Sequence, residues 1–141
     1  MIHGLSHMTF IVRDLDKMEE VLVAVLGAQK VYASGSRQYS LSEERFYLVG
    51  DGAQSIWIAI MVGDSLEKHT YNHIAFKIDE QDVELYRNRI ARLGLTIKGD
   101  RSRVAGEGDS IYFYDHDNHL FELHTGTLQD RLESYARGYT E

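Results

Sequence analysis

The chain of 141 residues contains no cysteine and no proline. The first absence excludes disulfides, thiolate metal ligands and a cysteine nucleophile. The second leaves no stiff spacer that could divide the chain into separate parts. Positive charge is also short. Fifteen Lys and Arg against 22 Asp and Glu give a formal net charge of −7, which argues against a general binder of nucleic acid or of an anionic membrane. No apolar run approaches the ~20 residues that span a bilayer, and Met1–Gly4 lacks the basic and apolar regions of a secretory signal. The expectation is a cytoplasmic chain whose chemistry comes from His, Asp, Glu, Ser, Thr, Tyr or Arg. With 43% hydrophobic and 26% charged residues, the composition is that of a soluble globular protein, long enough to bury one proper core.

The hydrophobic pattern repeats. Leu5–Val12 (LSHMTFIV) reads as a strand, after which Asp14 caps a helix with Met18, Val21, Leu22, Val25 and Leu26 on one face, ended by Gly27. Strand-like runs follow at Gln29–Ala33, Arg45–Val49 and Ser55–Val62. The second half restates this order. Tyr71–Ile78 (YNHIAFKI) is a strand, Asp79 is placed to cap a helix carrying Val83, Tyr86, Ile90 and Leu93, and Gly94 ends it. Strands near Leu95–Lys98, Ser110–Tyr114 and His119–His124 come next. A last helix starts at Thr127, with Asp130 completing a capping box and Leu128, Leu132 and Tyr135 on one face. The pattern is βαβββ twice, an α+β arrangement. His7 aligns with His73 and Phe10 with Phe76. The expected organisation is a single domain over 1–141, with module one at about 1–66, module two at about 67–126 and a terminal helix at about 127–137.

The matched histidines carry the first chemical hint. One histidine on an apolar strand is explained as a hydrogen-bonded core residue, but two at equivalent positions of a repeat are harder to dismiss. In His119–His124 (HLFELH), Glu122 lies among apolar neighbours, and a carboxylate on a buried strand face needs a cation. Two histidines and a glutamate with open positions suit Mn(II), Fe(II) or a similar divalent ion. By contrast, Glu43-Glu44 reads first as a solvated pair, and the polarity of Asp115–Asn118 is that of a turn. The segment from Arg101 to Ser110 has two arginines, two glycines and a hydroxyl entering a strand. Its composition suits an anionic, oxygen-rich ligand and equally a mobile surface loop.

Three segments carry a resemblance. GLSHMTFIVRDL at Gly4–Leu15, YNHIAFKI at Tyr71–Ile78 and GEGDSIYFYDHDNHLFELHTGTL at Gly106–Leu128 resemble the vicinal-oxygen-chelate superfamily. Within it the chain resembles the fosfomycin-resistance proteins, specifically the FosX-type epoxide hydrolases. The resemblance implies a fold of paired βαβββ modules in a domain-swapped homodimer, with each metal site drawing ligands from both subunits. It places the metal ligands on His7, His73 and Glu122, with Mn(II) as the expected ion and other divalent metals as possible substitutes. The segment SLSEERFYL puts Glu44 where the hydrolase type carries its general base, and leaves Glu43 facing solvent.

The implied reaction is hydrolysis of the fosfomycin epoxide to a vicinal diol phosphonate. An ordinary glutamate pKa of ~4.3 leaves Glu44 ionised near neutral pH and able to take a proton from water. The resemblance further implies that Thr9 lies near the epoxide, and that Tyr71, Arg103, Ser110, Tyr112 and Arg131 bind the phosphonate. Arg101 and Arg103 both stand where the transferase branch has one lysine, and Gly106 replaces a serine that helps that branch hold potassium. The resemblance therefore assigns no potassium site here, and whether one exists stays open, since Glu107 is present. Two readings compete: a glutathione or bacillithiol transferase opening the same epoxide, and a non-catalytic relative that sequesters a drug. A ring-cleaving dioxygenase is the weakest fit, because its substrates do not call for an arginine-rich anion site.

Overall fold

Each histidine-bearing segment becomes a strand, followed by a helix and three more strands. The computed structural model describes residues 1–99 and 101–138. The first repeat consists of β1 (His7–Val12), α1 (Leu15–Ala24), β2 (Gln29–Ala33), β3 (Glu44–Val49) and β4 (Ile56–Val62). The second consists of β5 (His73–Lys77), α2 (Val83–Arg92), β6 (Ile97–Lys98), β7 (Ser110–Tyr114) and β8 (Leu120–His124), with α3 (Leu128–Arg137) after it. Four strands form each sheet, in the orders β1-β4-β3-β2 and β5-β8-β7-β6. The first strand of each repeat runs parallel to the last, and the other pairings are antiparallel.

The helices start and stop for local reasons. The Asp14 carboxylate accepts from the N–H groups of Asp16 (2.9 Å) and Lys17 (3.1 Å), two donors with no partner inside α1. Gly27 and Gly94 end the two repeat helices with φ of +67° and +65°, a conformation that costs a side-chain-bearing residue about 1 kcal/mol or more. Asp79 departs from expectation. A bond from the Asp82 N–H to the Asp79 carbonyl (3.0 Å) closes a tighter turn over Glu80–Asp82, without a side-chain cap, and α2 begins only at Val83. At α3 the expected capping box is present. Thr127 Oγ1 accepts from the Asp130 N–H at 3.1 Å, and the Asp130 carboxylate accepts from the Thr127 N–H at 3.0 Å.

Strand alternation divides each sheet into a face covered by the helix of its repeat and an opposite face, open only in lacking that helix, since Ala59, Met61, Tyr112 and Glu122 on it are buried. In the first, Phe10, Val12, Tyr47, Ile58 and Ile60 are buried, as are Met18, Val21 and Leu22 of α1, which packs across β3 and β4. Each fully buried aliphatic side chain contributes roughly 1.5–3 kcal/mol relative to exposure. In the second, Ile111, Phe113, Phe121 and Leu123 are buried with Ile90 of α2, which packs on β7. The apolar stripe of α3 behaves differently. Leu128, Leu132 and Tyr135 are 73%, 57% and 40% exposed, and the buried residue is Ser134. Its small side chain suits a close approach, since a Cβ at Gly106 would fall 2.8 Å from Ser134 Oγ.

Contacts divide the chain into two compact units, one of Met1–Lys68 with His116–Asn118, the other of His69–Asp115 with His119–Glu141. The His116–Asn118 turn is therefore more than a polar reversal. In the first unit, buried Asp117 accepts from the Arg13 N–H (3.0 Å) and the Ser65 hydroxyl, and its carbonyl accepts from the Leu66 N–H (3.1 Å). Asn118 Nδ2 donates to the Leu66 carbonyl at 2.6 Å.

Candidate metal and anion site

On β1 the residues at every second position share the open face, so His7, Thr9 and Ile11 point away from α1. Cross-strand partners lie on one face of a sheet. His7 is level with Trp57 and Leu48, Thr9 with Ala59 and Phe46, and Ile11 with Met61 and Glu44. Thus the three expected residues of the first repeat (His7, Thr9 and Glu44) belong to one face. His7 Nδ1 lies 3.0 Å from Ser6 Oγ, and its ring is 4.3 Å from that of Trp57. Glu44 is only 8% exposed, whereas Glu43 is exposed. A reciprocal pair fixes Glu44 at the start of β3: its N–H donates to Ser34 Oγ (3.0 Å), and its carbonyl accepts from the Ser34 N–H (2.9 Å).

The second sheet brings His73, Glu122, Ser110, Tyr112 and His124 onto its own open face, through the registers Ala75 with Glu122, Tyr112 with Glu122 and Ser110 with His124. His73 Nδ1 is 2.6 Å from the Tyr71 carbonyl oxygen, which can only accept, so Nδ1 carries the proton. Nε2 lies 2.9 Å from Glu122 Oε2. At that distance the nitrogen and the carboxylate oxygen share a cation, either a second ring proton or, with Nε2 unprotonated, a metal ion. This chemistry fits a divalent metal, and the Tyr71 carbonyl is the outer partner that orients a ligating imidazole.

A chain of hydrogen bonds fixes the carboxylate from behind. Ser110 Oγ donates to Glu122 Oε1 at 2.5 Å and lies 2.7 Å from His124 Nδ1. Because the serine proton goes to the carboxylate, His124 Nδ1 donates to Ser110. His124 Nε2 is then the acceptor for Arg131 Nη2 at 3.4 Å. Burial and the positive charges of Arg131 and Arg103 lower the His124 pKa against the opposing pull of Glu122, in keeping with a neutral ring. Burial alone would raise the Glu122 pKa, but hydrogen bonds from Ser110 and Tyr112 and the nearby imidazoles hold it below the usual carboxylate range. Burial, together with the hydrogen bond to Tyr71 (3.1 Å between hydroxyls), pushes the Tyr112 phenol up to about 12.

Basic groups gather around Tyr112. Arg103 is 6.0 Å from its ring centre, Arg101 hydrogen-bonds to it, and Lys98, opposite it on β6, is 5.8 Å from the ring. Lys98 escapes a reading of the sequence, because β6 is only two residues long and gives no alternation to assign its face. Its register with Tyr112 is the missing signal. Among the described residues, no three His, Asp or Glu side chains of the chain are grouped to hold a metal. His73 and Glu122 meet as a pair in the second unit, while His7 belongs to the first.

Residues 4–123 match the Glyoxalase/Bleomycin resistance protein/Dioxygenase superfamily. The chain belongs to that family. It is 58% identical over 138 residues to the fosfomycin resistance protein FosX of Mesorhizobium japonicum, covering 98% of this chain and 96% of the relative. The metallothiol transferase FosB of Shouchella clausii is 35% identical over 142 residues, covering 97% and 90%. Among solved structures, a mutant FosX of Listeria monocytogenes complexed with Mn(II) and 1S,2S-dihydroxypropylphosphonic acid superposes with a TM-score of 0.85. It is 52% identical, with 96% of this chain and 99% of that one covered. The paired βαβββ fold read from the repeat is the fold of this family.

Proposed function

We propose that the chain is a Mn(II)-dependent epoxide hydrolase that inactivates fosfomycin by adding water to its epoxide, giving a vicinal diol phosphonate. The observation that carries this reading is the diol phosphonate held by the similar FosX structure, which is an epoxide plus water with no thiol incorporated. The carboxylate at Glu44 and the greater identity to FosX than to FosB agree with it.

His73 and Glu122 would hold the metal with His7 of a second copy, the whole chain serving as one domain in a homodimer with shared sites. Support comes from the 2.9 Å His73–Glu122 pair, with which no third His, Asp or Glu is grouped as a metal ligand among the described residues, and from the exposed position of His7. Bound there, Mn(II) supplies Lewis acidity to the oxirane oxygen. Glu44 takes a proton from water as the water oxygen bonds to a ring carbon. The ring C–O bond breaks, its electron pair stays on the ring oxygen, and that oxygen then takes up a proton. Thr9 flanks the epoxide, and Tyr71, Arg103, Ser110, Tyr112 and Arg131 surround the phosphonate. The place of action is the cytoplasm, in keeping with a chain without cysteine; among the described residues no helix is long and apolar enough to cross a membrane.

Phosphorus NMR of fosfomycin incubated with protein and Mn(II) tests the reading. Diol should form without thiol, and added glutathione should give little adduct. A protein inactive until thiol is supplied is a transferase, and one that binds the drug unchanged is a sequestering protein.

A further inference from the structure

Glu107 is the most deeply buried charged residue among those described, at 0% exposure, and it has no part in the reaction above. A carboxylate buried to that depth is costly unless compensated. Its compensation is a hydrogen bond with Tyr135 of α3 and two guanidinium groups. Glu107 Oε1 is 2.8 Å from Arg101 Nη1 and 3.3 Å from Arg103 Nη1. The same Arg103 nitrogen is 3.4 Å from the Gly108 carbonyl. Arg101 hydrogen-bonds to Tyr112, and Arg103 lies 6.0 Å from the Tyr112 ring centre. The loop is shaped for this inward turn. Gly106 and Gly108, on either side of Glu107, have φ of +88° and +95°, a region that side-chain-bearing residues avoid. The loop also lies against bare backbone, since a Cβ at Gly126 would fall 2.2 Å from the Glu107 carbonyl oxygen.

Two guanidinium groups close together repel, and long unpaired side chains turn toward water. One carboxylate between them offsets the repulsion and leaves the Arg101–Glu107–Arg103 cluster with a net charge of +1. We infer that Glu107 is a positioning residue for phosphonate recognition: its buried carboxylate ties Arg101 and Arg103 beside Tyr112, so that their surplus positive charge faces the anionic end of the substrate. The inference rests on the phosphonate-epoxide reading above. It adds Glu107 and Arg101 to the anion-binding apparatus, Glu107 acting through the arginines without touching substrate.

The test uses the full-length Mn(II)-loaded protein and two readouts: KM and kcat for fosfomycin, and calorimetric binding of methylphosphonate. Glu107→Gln should raise KM and weaken methylphosphonate binding by ~10-fold or more, the scale of losing one partner from a buried charge cluster, with kcat changed far less. In a background of Arg101→Met and Arg103→Met, the same substitution should cause no further loss, because the groups it positions are gone. A merely structural role would not vanish in that background. Unchanged KM and affinity in Glu107→Gln, or an equal loss in both backgrounds, overturns the inference. Where Glu107→Gln fails to fold, Glu107→Asp serves. One methylene shorter, it cannot hold both guanidiniums, and it should raise KM by at least ~3-fold; no change overturns the inference. Calorimetry needs no turnover. A wild type that leaves fosfomycin intact but binds methylphosphonate in a Glu107-dependent way would sink the hydrolase reading alone.

Discussion

Replacing Ser110 by alanine separates two roles for that hydroxyl. If it serves only as a phosphonate contact, its loss raises KM and leaves the substrate-free protein unchanged. The geometry assigns it a prior task, because its proton is directed at Glu122 Oε1 (2.5 Å) and its oxygen accepts from His124 Nδ1 (2.7 Å). A hydrogen bond to a buried charged group is worth ~1.5–3 kcal/mol and a neutral one ~0.5–1.5 kcal/mol, and here both stranded partners stay buried or nearly so. The two losses together come to about 2–4 kcal/mol. For a chain of this size that lowers the Tm of the metal-free protein by roughly 10 °C.

Metal binding should suffer as well. Ser110 gives the strongest hydrogen-bond support to the ionised Glu122 carboxylate, and without it Oε1 is free to rotate toward the metal position or solvent. Loss of such an outer partner typically weakens metal affinity ~10–100-fold. Titration of metal-free wild type and Ser110→Ala with Mn(II), followed by electron paramagnetic resonance of the free ion, measures the change. Thermal unfolding of the same samples checks the stability loss. A variant with wild-type Mn(II) affinity and Tm but an elevated KM would refute the assignment and return Ser110 to the substrate alone.

Glu44→Gln keeps size and hydrogen-bonding reach but cannot accept the proton, so diol formation should fall ~10²–10⁴-fold while Mn(II) binding persists; near-normal turnover would assign the base elsewhere. Shared sites predict complementation. His7→Ala and His73→Ala should each be inactive as homodimers, yet mixing them after subunit exchange should restore about a quarter of wild-type activity, since half of the sites in each heterodimer are intact. No restoration would place all three ligands within one chain. A third expectation concerns acid stability. The Tyr47 hydroxyl, with Lys30 and Arg45, outweighs burial and holds the Glu19 pKa below its ordinary value of 4.5. A lowered folded-state pKa stabilises above the unfolded value and ceases to do so as pH falls through the folded one. The Tm gap between wild type and Glu19→Gln should therefore be full above about pH 5.5 and shrink as pH falls below the ordinary value of 4.5; a gap that widens on acidification would contradict the Tyr47–Glu19 bond.

The strands, the helices and the repeat are legible in the sequence because they are written locally. Phe10 and Val12 alternate with His7, Thr9 and Ile11, and Asp14 and Gly27 mark the ends of a helix within a few residues of it. What the residue pattern alone leaves open depends on register between strands far apart in the chain. Glu43 and Glu44 are indistinguishable as adjacent acids; pairing of Glu44 with Met61 and its bond to Ser34 put one inside and the other in water. The Ser110–Glu122–His124 connection spans a hairpin whose register no spacing rule states, and Asp117 is buried by partners at Arg13 and Ser65. Register also accounts for the number of ligands in the proposed site. The two sheets share one strand order, so His7 corresponds to His73, while Ala59, level with Thr9, stands where Glu122 stands level with Ala75. The first repeat thus offers an imidazole but no carboxylate at the position equivalent to Glu122, while the second offers both. On the proposed reading, a site drawing on one of each would have three protein ligands, and a methyl group at Ala59 in place of a fourth would leave the coordination open for substrate oxygen, the condition that separates a catalytic metal site from a closed structural one.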